Sequence, residues 1–493
     1  MYFGGRSAYL LAVAPIVDRI ELLSVLQGFN PWWGGRPPSP PTFHRIAYQN
    51  SRRFLDDPKQ QRAVHLSGPR RVGKTTILLQ IVRAVLEEGR EPKSVVYLSL
   101  DHPILKLISL HEVLRLYHES VYPEGSPVLL LLDEVQYATD WELELKQLID
   151  HKPAYRIAAT GSASAVQKHK LAESGVGRWV SVKVPTLSFY EFVHIRGDPA
   201  PDIAQTLRPA DLVGRRQADL LQVGAACRRL MPLFARYLLV GGFPETAKQD
   251  DIATCQRLLR EDVVERVLKR DMTALFGIRN VNELEKLFIY LCLHTGGILS
   301  VQACASALGS TTVTVSNHLE ALEQANLIFR LPPAGVGGKT VLKARYKIYL
   351  VDAALRNAVL LRGEDIVKNA AEMGTIVETT VLRHLVAYHY RDTPEFVYWR
   401  DPKTRQEVDI IVRSPAYVLP VEVKYRQDAG ISEDAGMLAY CAEEKVKVGY
   451  WVTQAERDFD ILAVPGSRAK VLRIPAHVFT YLLGQAERTL WGR

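Results

Sequence analysis

The 493-residue chain contains little cysteine and no long apolar run. Its five cysteines, at positions 227, 255, 292, 304 and 441, are scattered, and no C-x-x-C pair occurs. This pattern excludes a cysteine-rich zinc module and a disulfide framework, and it favours a reducing compartment. The apolar stretch at residues 9–14 is too short to span a bilayer, and only Arg6 precedes it as a basic residue. We therefore expect a cytoplasmic protein without a membrane partner.

The bulk composition is that of an ordinary globular protein. Hydrophobic residues make up 47% of the chain and charged residues 24%, so we expect well-buried cores. The length is sufficient for about three domains. The formal net charge of +8 permits an anionic partner such as DNA, although a basic solvated surface explains the same excess almost as well.

Residues 68–76 match the phosphate-binding pattern G-x-x-x-x-G-K-[ST] without a mismatch. An apolar run precedes them and a helical pattern follows, which is the strand, glycine loop and helix order that this motif requires. Lys74 would reach the β- and γ-phosphates, and the Thr75 hydroxyl would ligate Mg²⁺. The sequence therefore predicts a site for ATP and Mg²⁺ formed by Gly68, Pro69, Arg70, Arg71, Val72, Gly73, Lys74, Thr75 and Thr76.

Two adjacent acids end a second apolar run at residues 128–134. Carboxylates beside a buried strand are costly unless they meet a cation, so we predict that Asp133 holds Mg²⁺ through water. Glu134 would orient or deprotonate the attacking water. Thr160 and Ser162 follow the next strand and are candidates for sensing the γ-phosphate. Arg178 is a candidate arginine finger, with a surface arginine as the equal alternative.

Strands alternate with helices through the first 200 residues, which predicts an α/β fold with a parallel sheet and ligands at the carboxyl ends of its strands. Helical patterns then follow to about residue 281 and predict a lid. The predicted divisions are an N-terminal arm and entry loop at 1–40, a P-loop ATPase core at 41–200, a helical lid at 201–281, a winged helix-turn-helix at 282–365, and a nuclease-like domain at 366–493.

Five segments occur in the order and style of a prokaryotic group of AAA-type ATPases that carry a C-terminal domain of uncharacterised function. They read GPRRVGKTT, LLLLDEVQ, AATGSASA, GRWVSVKVPTLSFYEF and YLLVGGFPE. The resemblance covers nearly the whole chain after about Leu22. It implies an ATP-hydrolysing core of the ASCE class, with Asp133 and Glu134 as the Walker B pair. It also implies that Pro244 lies against adenine, as the GxP proline does in related signalling ATPases.

Residues 300–325 resemble a helix-turn-helix, with Gly309 in the turn. Two short apolar runs, at residues 327–331 and 346–351, would pair as its wing, and the intervening residues are rich in Gly and Pro. No arginine lies within residues 311–325, which argues against base reading, because arginine makes the commonest specific base contact. Non-specific DNA binding and an interdomain contact are the interpretations that we favour.

The last 130 residues resemble the PD-(D/E)xK nuclease fold. Glu378 lies in a predicted helix, Asp409 in a strand, and Glu422 and Lys424 two residues apart on the next strand, so that they share a face. Asp409 and Glu422 would bind Mg²⁺ or Mn²⁺, and Lys424 would orient water or stabilise charge at the phosphate. The alternative is a nuclease-derived module that only binds.

Three functional hypotheses follow. The first is an Mg²⁺-dependent ATPase whose nucleotide state controls a winged-helix and nuclease-like half acting on DNA. The second is an ATP-operated switch whose C-terminal half is a non-catalytic docking module. The third is a homo-oligomeric motor that remodels branched DNA. In all three hypotheses the protein binds ATP and ADP.

Overall fold

The computed structural model describes residues 17–59, 61–138, 141–161, 177–335, 345–426, 436–444 and 446–491. Within these ranges, no helix combines the length and the apolarity that a membrane crossing requires. All five cysteines are buried and free.

A five-stranded parallel sheet forms the amino-terminal part of the fold, in the strand order β2-β3-β4-β1-β5. Strands β1 and β3 are buried along their whole length, as apolar runs in a two-sided sheet should be. The strands are β1 (Ala63–Ser67), β2 (Val95–Ser99), β3 (Val128–Asp133), β4 (Tyr155–Gly161) and β5 (Trp179–Lys183). Because β4 separates β1 from β3, its carboxyl end lies between the phosphate-loop strand and the acid-bearing strand. The predicted α/β fold with a parallel sheet is confirmed.

Five helices accompany this sheet. They are α1 (Arg19–Phe29), α2 (Ile46–Asp56), α3 (Lys74–Glu87), α4 (Leu110–Ser120) and α5 (Trp141–His151). Helix α3 begins directly after Gly73, whose φ of +92° is a left-handed conformation that favours glycine. The loop therefore turns sharply into α3, and the amino end of the helix is placed beside the carboxyl edge of the sheet.

The segment predicted as a single helical lid, residues 201–281, contributes side chains to two different hydrophobic cores. Helix α6 (Phe189–Arg196) precedes this segment, whose helices are α7 (Pro209–Leu212), α8 (Gln217–Cys227), α9 (Leu230–Val240), α10 (Pro244–Lys248), α11 (Ile252–Leu258), two π-helical stretches (Leu259–Glu265 and Val267–Asp271) and α12 (Met272–Phe276). Apart from Phe243, which packs in the core of the first sheet, the buried apolar side chains up to Cys255 share a core with the C-terminal sheet. Those from Leu259 to Met272 share a core with the first sheet instead.

Residues 281–359 form a unit that we call the hairpin unit. It contains α13 (Val281–Leu293), α14 (Val301–Leu308), α15 (Thr312–Gln324), β6 (Ile328–Leu331), β7 (Lys347–Leu350) and α16 (Ala353–Val359). Gly309 ends α14 with a φ of +64°, and β6 pairs with β7 in antiparallel fashion. The two helices, the turn and the hairpin thus form where the sequence predicts them. Their use as a winged helix stays a prediction.

Residues 370–491 form the C-terminal unit, a mixed six-stranded sheet in the order β12-β13-β11-β10-β9-β8 with three helices. Its elements are α17 (Ala370–His389), β8 (Glu395–Arg400), β9 (Glu407–Arg413), β10 (Val418–Lys424), α18 (Gly436–Glu443), β11 (Val448–Thr453), β12 (Asp460–Ala463), β13 (Lys470–Pro475) and α19 (Ala476–Trp491). The elements predicted up to β11 are present. The last two strands and α19 were not foreseen.

Helix α19 returns to the middle of the chain and packs on α6. A Cβ added at Gly484 would lie 2.7 Å from the Tyr190 Cβ and 2.8 Å from the Ser188 Cβ, so only glycine allows this approach. Arg488 Nη1 also donates a hydrogen bond to the Tyr190 hydroxyl at 2.8 Å. The C-terminal helix is therefore built into the core that begins at residue 187.

A buried polar cluster joins the phosphate loop to the C-terminal unit. Arg45 Nη2 lies 2.9 Å from Glu191 Oε2, and Arg45 Nη1 donates to the Val72 carbonyl at 2.8 Å. Close by along the chain, the Phe189 N–H donates to His384 Nε2 of α17 at 2.8 Å. Arg45 thus bridges the first turn of α6 to the phosphate loop, and the same turn contacts α17.

Candidate functional site

The phosphate loop holds its lysine against its own backbone. Lys74 Nζ donates to the carbonyl oxygens of Gly68 and Pro69 at 2.9 and 2.8 Å, and the side chain is buried. Burial lowers the pKa of Lys74 from its ordinary value, although Glu134 and Asp133 oppose this shift. Gly68 is required by space, because a Cβ there would lie 2.0 Å from the Val184 carbonyl oxygen.

The Walker B acid meets the loop where the sequence predicts it. Asp133 Oδ2 accepts hydrogen bonds from the Thr75 hydroxyl at 2.6 Å and from the Tyr97 hydroxyl at 2.9 Å, while Oδ1 accepts one from Thr160. Burial, and then the charge of Glu134, raise the pKa of Asp133. The paired oxygen donors of Thr75 and Asp133 are the ligand type that Mg²⁺ prefers, so these two residues fit that cation.

Glu134 turns out of the strand with a φ of +56°, which places its side chain beyond the sheet edge. Its N–H donates to the Thr160 hydroxyl at 2.9 Å, and its carboxylate accepts a hydrogen bond from Gln136. Thr160 therefore contacts both acids at once, which supports its predicted place at the site. Ser162, its predicted companion, lies outside the described residues.

Two contacts at this site were not foreseen. Tyr97 reaches Asp133 from β2, the strand next to β3, and the only sequence signal was its place near the end of a buried strand. Gln136 follows Glu134 by two residues, within the motif that the family resemblance quotes. Both residues hold the acids in place rather than adding a reactive group.

The two loop arginines bind acids of the π-helical stretches. Arg70 Nη1 lies 3.0 Å from both Asp271 carboxylate oxygens, and the Tyr137 hydroxyl donates to Asp271 at 2.9 Å. Arg71 lies 3.0 Å from Asp262. The part of the predicted lid after residue 258 is therefore ion-paired to the phosphate loop.

Pro244 lies beside the glycine that begins α3. A Cβ added at Gly73 would be 3.8 Å from Pro244 Cγ. The proline thus flanks the loop, a position compatible with the adenine contact that the family resemblance implies. That contact stays a prediction.

Arg178 lies at the opposite edge of the sheet from the phosphate loop. Its carbonyl accepts the N–H of Ala63, at the start of β1, and its guanidinium pairs with Asp150 at 2.7 Å. As an arginine finger for this chain's own nucleotide, Arg178 is therefore misplaced, because it precedes β5 while the site follows the strand ends. A role toward the nucleotide of a neighbouring copy stays a prediction.

The second predicted site brings its acids together, but around a lysine. Lys347 of β7, only 3% exposed, places its Nζ 2.9 Å from Glu378, 2.7 Å from Glu407 and 2.9 Å from Asp409. The Tyr349 hydroxyl, two residues along, also donates to Glu378. The hairpin unit thus inserts an ammonium among three carboxylates of the C-terminal unit. Neither Lys347 nor Glu407 was singled out from the sequence.

The predicted metal pair of Asp409 and Glu422 does not form a cation site as it lies. Asp409 Oδ2 accepts the Val423 N–H at 3.0 Å, and Glu422 Oε2 accepts the Asp409 N–H at 3.2 Å. The remaining oxygens bind Lys347 and Lys424. Across the described ranges, no three His, Cys, Asp or Glu side chains are arranged to hold a metal. In this conformation ammonium and amide groups bind both carboxylates, and metal ligation at this pair stays a prediction.

The charges of this cluster are strongly coupled. Burial, and then the charge of Asp409, raise the pKa of Glu378 to about 7 and that of Glu422 to about 8. For Asp409 itself, burial is outweighed by Lys347 and Lys424, so that its pKa is lowered. The ammonium of Lys347 therefore keeps one of these acids ionised while the others resist ionisation.

Comparison with known families separates the chain into three parts. Residues 60–193 match the family described as an AAA domain. Residues 231–365 and 373–476 match two domains of unknown function, DUF8612 and DUF4143. The phosphate loop, both acids and Thr160 thus all lie within the part of the chain that matches an AAA domain, and the other two matches carry no described function.

Two curated relatives extend over most of the chain. An uncharacterized protein of Haemophilus influenzae is 23% identical over 382 residues, which cover 76% of this chain and 85% of that protein. An uncharacterized protein of Methanocaldococcus jannaschii is 25% identical over 441 residues, 87% of each chain.

Similar solved structures include Aeropyrum pernix ORC1 in complex with DNA, with 16% identity, a TM-score of 0.27, and coverage of 67% of this chain and 96% of that one. They also include AMPPCP-bound DnaA from Aquifex aeolicus, with 16% identity, a TM-score of 0.26, and coverage of 60% and 92%. At these TM-scores the likeness supports no argument about function.

Proposed function

We propose that this chain is an Mg²⁺-dependent ATPase whose nucleotide state controls a winged-helix and nuclease-like C-terminal half that acts on DNA. The observation that carries the ATPase part is the meeting of Lys74, Thr75 and Asp133 at one sheet edge, with Glu134 and Thr160 beside them. The AAA domain match over residues 60–193 supports the same activity.

Each residue of the site has a distinct role in this proposal. Thr75 and Asp133 would hold Mg²⁺, which when bound neutralises charge on the β- and γ-phosphates. Lys74 leaves the carbonyls of Gly68 and Pro69 to contact the phosphates. Glu134 orients the attacking water and accepts its proton, and Thr160 fixes the Glu134 backbone so that the carboxylate stays aimed.

The control of the C-terminal half is supported by a short series of contacts. Pro244 flanks Gly73, and two residues earlier the Gly242 N–H donates to Asp352 at 2.9 Å. Asp352 lies two residues after the end of β7, and β7 carries Lys347. A phosphate loop that changes shape on binding ATP is therefore connected to the acids of the C-terminal unit by the packing of Pro244, the Gly242–Asp352 hydrogen bond and the ion pairs of Lys347.

A nuclease-like C-terminal half is supported by the placement of its acids. Glu378 on α17, Asp409 on β9 and Glu422 on β10 converge, and Lys424 contacts Glu422. The insertion of Lys347 favours the second candidate, an ATP-operated switch with a non-catalytic docking module. A homo-oligomeric cytoplasmic motor is the third, in which Arg178 would serve the nucleotide of the adjacent copy.

The ATPase assignment is tested with Glu134→Gln. We expect phosphate release to fall about a hundredfold or more while ATP still binds, because the carboxylate acts on the water and not on the nucleotide. Lys286→Ala, at an exposed position of α13, is the matched control and should keep the wild-type rate. A Glu134→Gln variant that hydrolyses ATP at the wild-type rate would refute the assignment.

The DNA part is tested by incubating the wild type with linear, single-stranded and branched DNA, with Mg²⁺ or Mn²⁺, and with or without ATP. Cleavage under any of these conditions supports nuclease action. Binding without cleavage under all of them selects the docking module instead.

A further inference from the structure

The geometry points to Lys347 as an autoinhibitory cation. We propose that its ammonium holds the position among Glu378, Glu407 and Asp409 that a divalent cation would need, and that the two cations exclude each other. The inference rests on the proposed nuclease-like function and adds to it a reason why the C-terminal acids do not form a metal site in this conformation.

The first support is the origin of the lysine. Lys347 belongs to β7 of the hairpin unit, whereas its three carboxylate partners belong to α17 and β9 of the C-terminal unit. Alternate residues of a strand face opposite sides, so Lys347 and Tyr349 face the acids together while Ile348 packs into the other core. The strand thus presents one charged and one hydroxyl group to the acids.

The second support is the energetic balance. An ammonium that is 3% exposed loses most of its hydration, and this cost is recovered only through close carboxylates. Lys347 has three of them within 2.9 Å. The reverse also holds, since three acids crowded together need a cation between them.

The third support is distance. Divalent cations bind carboxylate oxygens at about 2.0–2.6 Å, while the Lys347 contacts are 2.7–2.9 Å. The acids are therefore spread to suit an ammonium. Displacement of the Lys347 ammonium by a small shift of its side chain or strand would leave room for the acids to close around a smaller, doubly charged ion.

The hairpin unit is attached to the C-terminal unit through Leu331 and Tyr349, which are buried in the same core as the C-terminal sheet, and through backbone contacts. The Tyr398 hydroxyl of β8 donates to the Arg345 carbonyl at 2.8 Å, and the Tyr398 N–H donates to the Pro332 carbonyl at 3.0 Å. These bonds lie along the edge strand β8, at the end of the sheet. The ammonium of Lys347 is thus the main charged contact of a strand docked at a sheet edge.

The test is calorimetric titration of the full-length chain with Mn²⁺. Lys347→Met should bind one additional Mn²⁺ ion. Its affinity should be at least tenfold higher than that of any Mn²⁺ site in the wild type that Asp409→Asn abolishes. The gain should disappear in the double variant Lys347→Met/Asp409→Asn. Lys470→Met, at an exposed position of β13, is the matched control and should titrate like the wild type.

A folded Lys347→Met chain, judged by circular dichroism, that shows no added site would overturn the inference. If this variant does not fold, Lys347→Met/Glu407→Gln removes one charge of each sign and is titrated in its place, with the same two outcomes. Failure of the proposed nuclease function is recognised separately: the variant would then gain Mn²⁺ but cut no DNA, and the inference about Lys347 would stand.

Discussion

Asp133 and Asp409 are both buried aspartates of a sheet strand, yet they are neutralised in different ways. Three hydroxyls, from Thr75, Tyr97 and Thr160, bind Asp133, and an ammonium, from Lys347, binds Asp409. Their pKa values accordingly move apart, with that of Asp133 raised and that of Asp409 lowered. Hydroxyls can stay beside a carboxylate that receives a cation, whereas an ammonium has to leave. In this conformation, hydroxyls surround the carboxylate of the first site, whereas an ammonium occupies the space beside the carboxylate of the second.

The largest effect that would separate the two sites is expected from Lys74→Ala. The variant loses the only loop lysine placed to contact the β- and γ-phosphates, so we expect ATP turnover to fall by about a hundredfold or more. Phosphate release measures it, with Lys286→Ala as control. Wild-type turnover in Lys74→Ala would mean that the hydroxyl-bound acid is not part of an ATPase site.

The next effect concerns the ammonium. Lys347→Met leaves the buried Asp409 and the partly buried Glu378 and Glu407 without their cation, and we expect the free energy of unfolding to drop by about 3 kcal/mol in the absence of metal. Urea denaturation followed by tryptophan fluorescence measures this, and exposed Lys470→Met should change stability by less than about 0.5 kcal/mol. A cost for Lys347→Met no larger than that of the control would show that the ammonium is not needed there.

Glu487 is a third buried acid to compare with Asp133 and Asp409. Burial raises its pKa from 4.5 to about 7. Above pH 4.5 the unfolded chain releases this proton while the folded chain keeps it, so the wild type loses stability as the pH rises toward 7. Glu487→Gln removes this loss. Between about pH 5 and pH 8, the free energy of unfolding of the variant should therefore rise relative to that of the wild type by up to about 3 kcal/mol.

Urea denaturation of both chains at these two pH values measures that gain. A stability difference that stays constant across the range would place the Glu487 carboxyl in an ionised state, like that of Asp409.

The smallest effect is expected from Tyr97→Phe. Removal of one of three neutral donors to Asp133 should lower the free energy of unfolding by about 1 kcal/mol. Measured in the same denaturation assay, this cost should be well below that of Lys347→Met. If the two costs are equal, the contrast between hydroxyl-bound and ammonium-bound carboxylates is wrong.

Much of the first site could be predicted because its residues are close in sequence to the elements that position them. The glycine loop lies between β1 and α3, and Asp133 ends an apolar strand, so local pattern and strand-end geometry bring them together. Arg178 could not be placed in this way. An arginine that precedes its strand lies at the amino end of a parallel sheet, and one that follows its strand lies at the carboxyl end. The prediction of Arg178 as an arginine finger did not take this difference into account.

The second site shows the complementary limit. The spacing of Glu422 and Lys424 and the order of Glu378 and Asp409 predicted a shared face, and these residues do converge. Lys347 could not be foreseen, because it is 62 residues from Asp409 and belongs to a hairpin whose docking depends on tertiary packing. A helical lid over 201–281 likewise followed from local periodicity, which does not show which core a helix joins.

The two largest hydrophobic cores of the described residues are interleaved along the chain. The first contains residues of the parallel sheet and of the hairpin unit, and the second takes the helices from residue 187 to 255 together with the C-terminal sheet. A truncation between the two halves would consequently remove side chains from both cores, so neither half is an independently folding domain. Signals between the nucleotide and the distant acids then have to travel as small shear displacements within one interlocked body, and not as the swing of a tethered module.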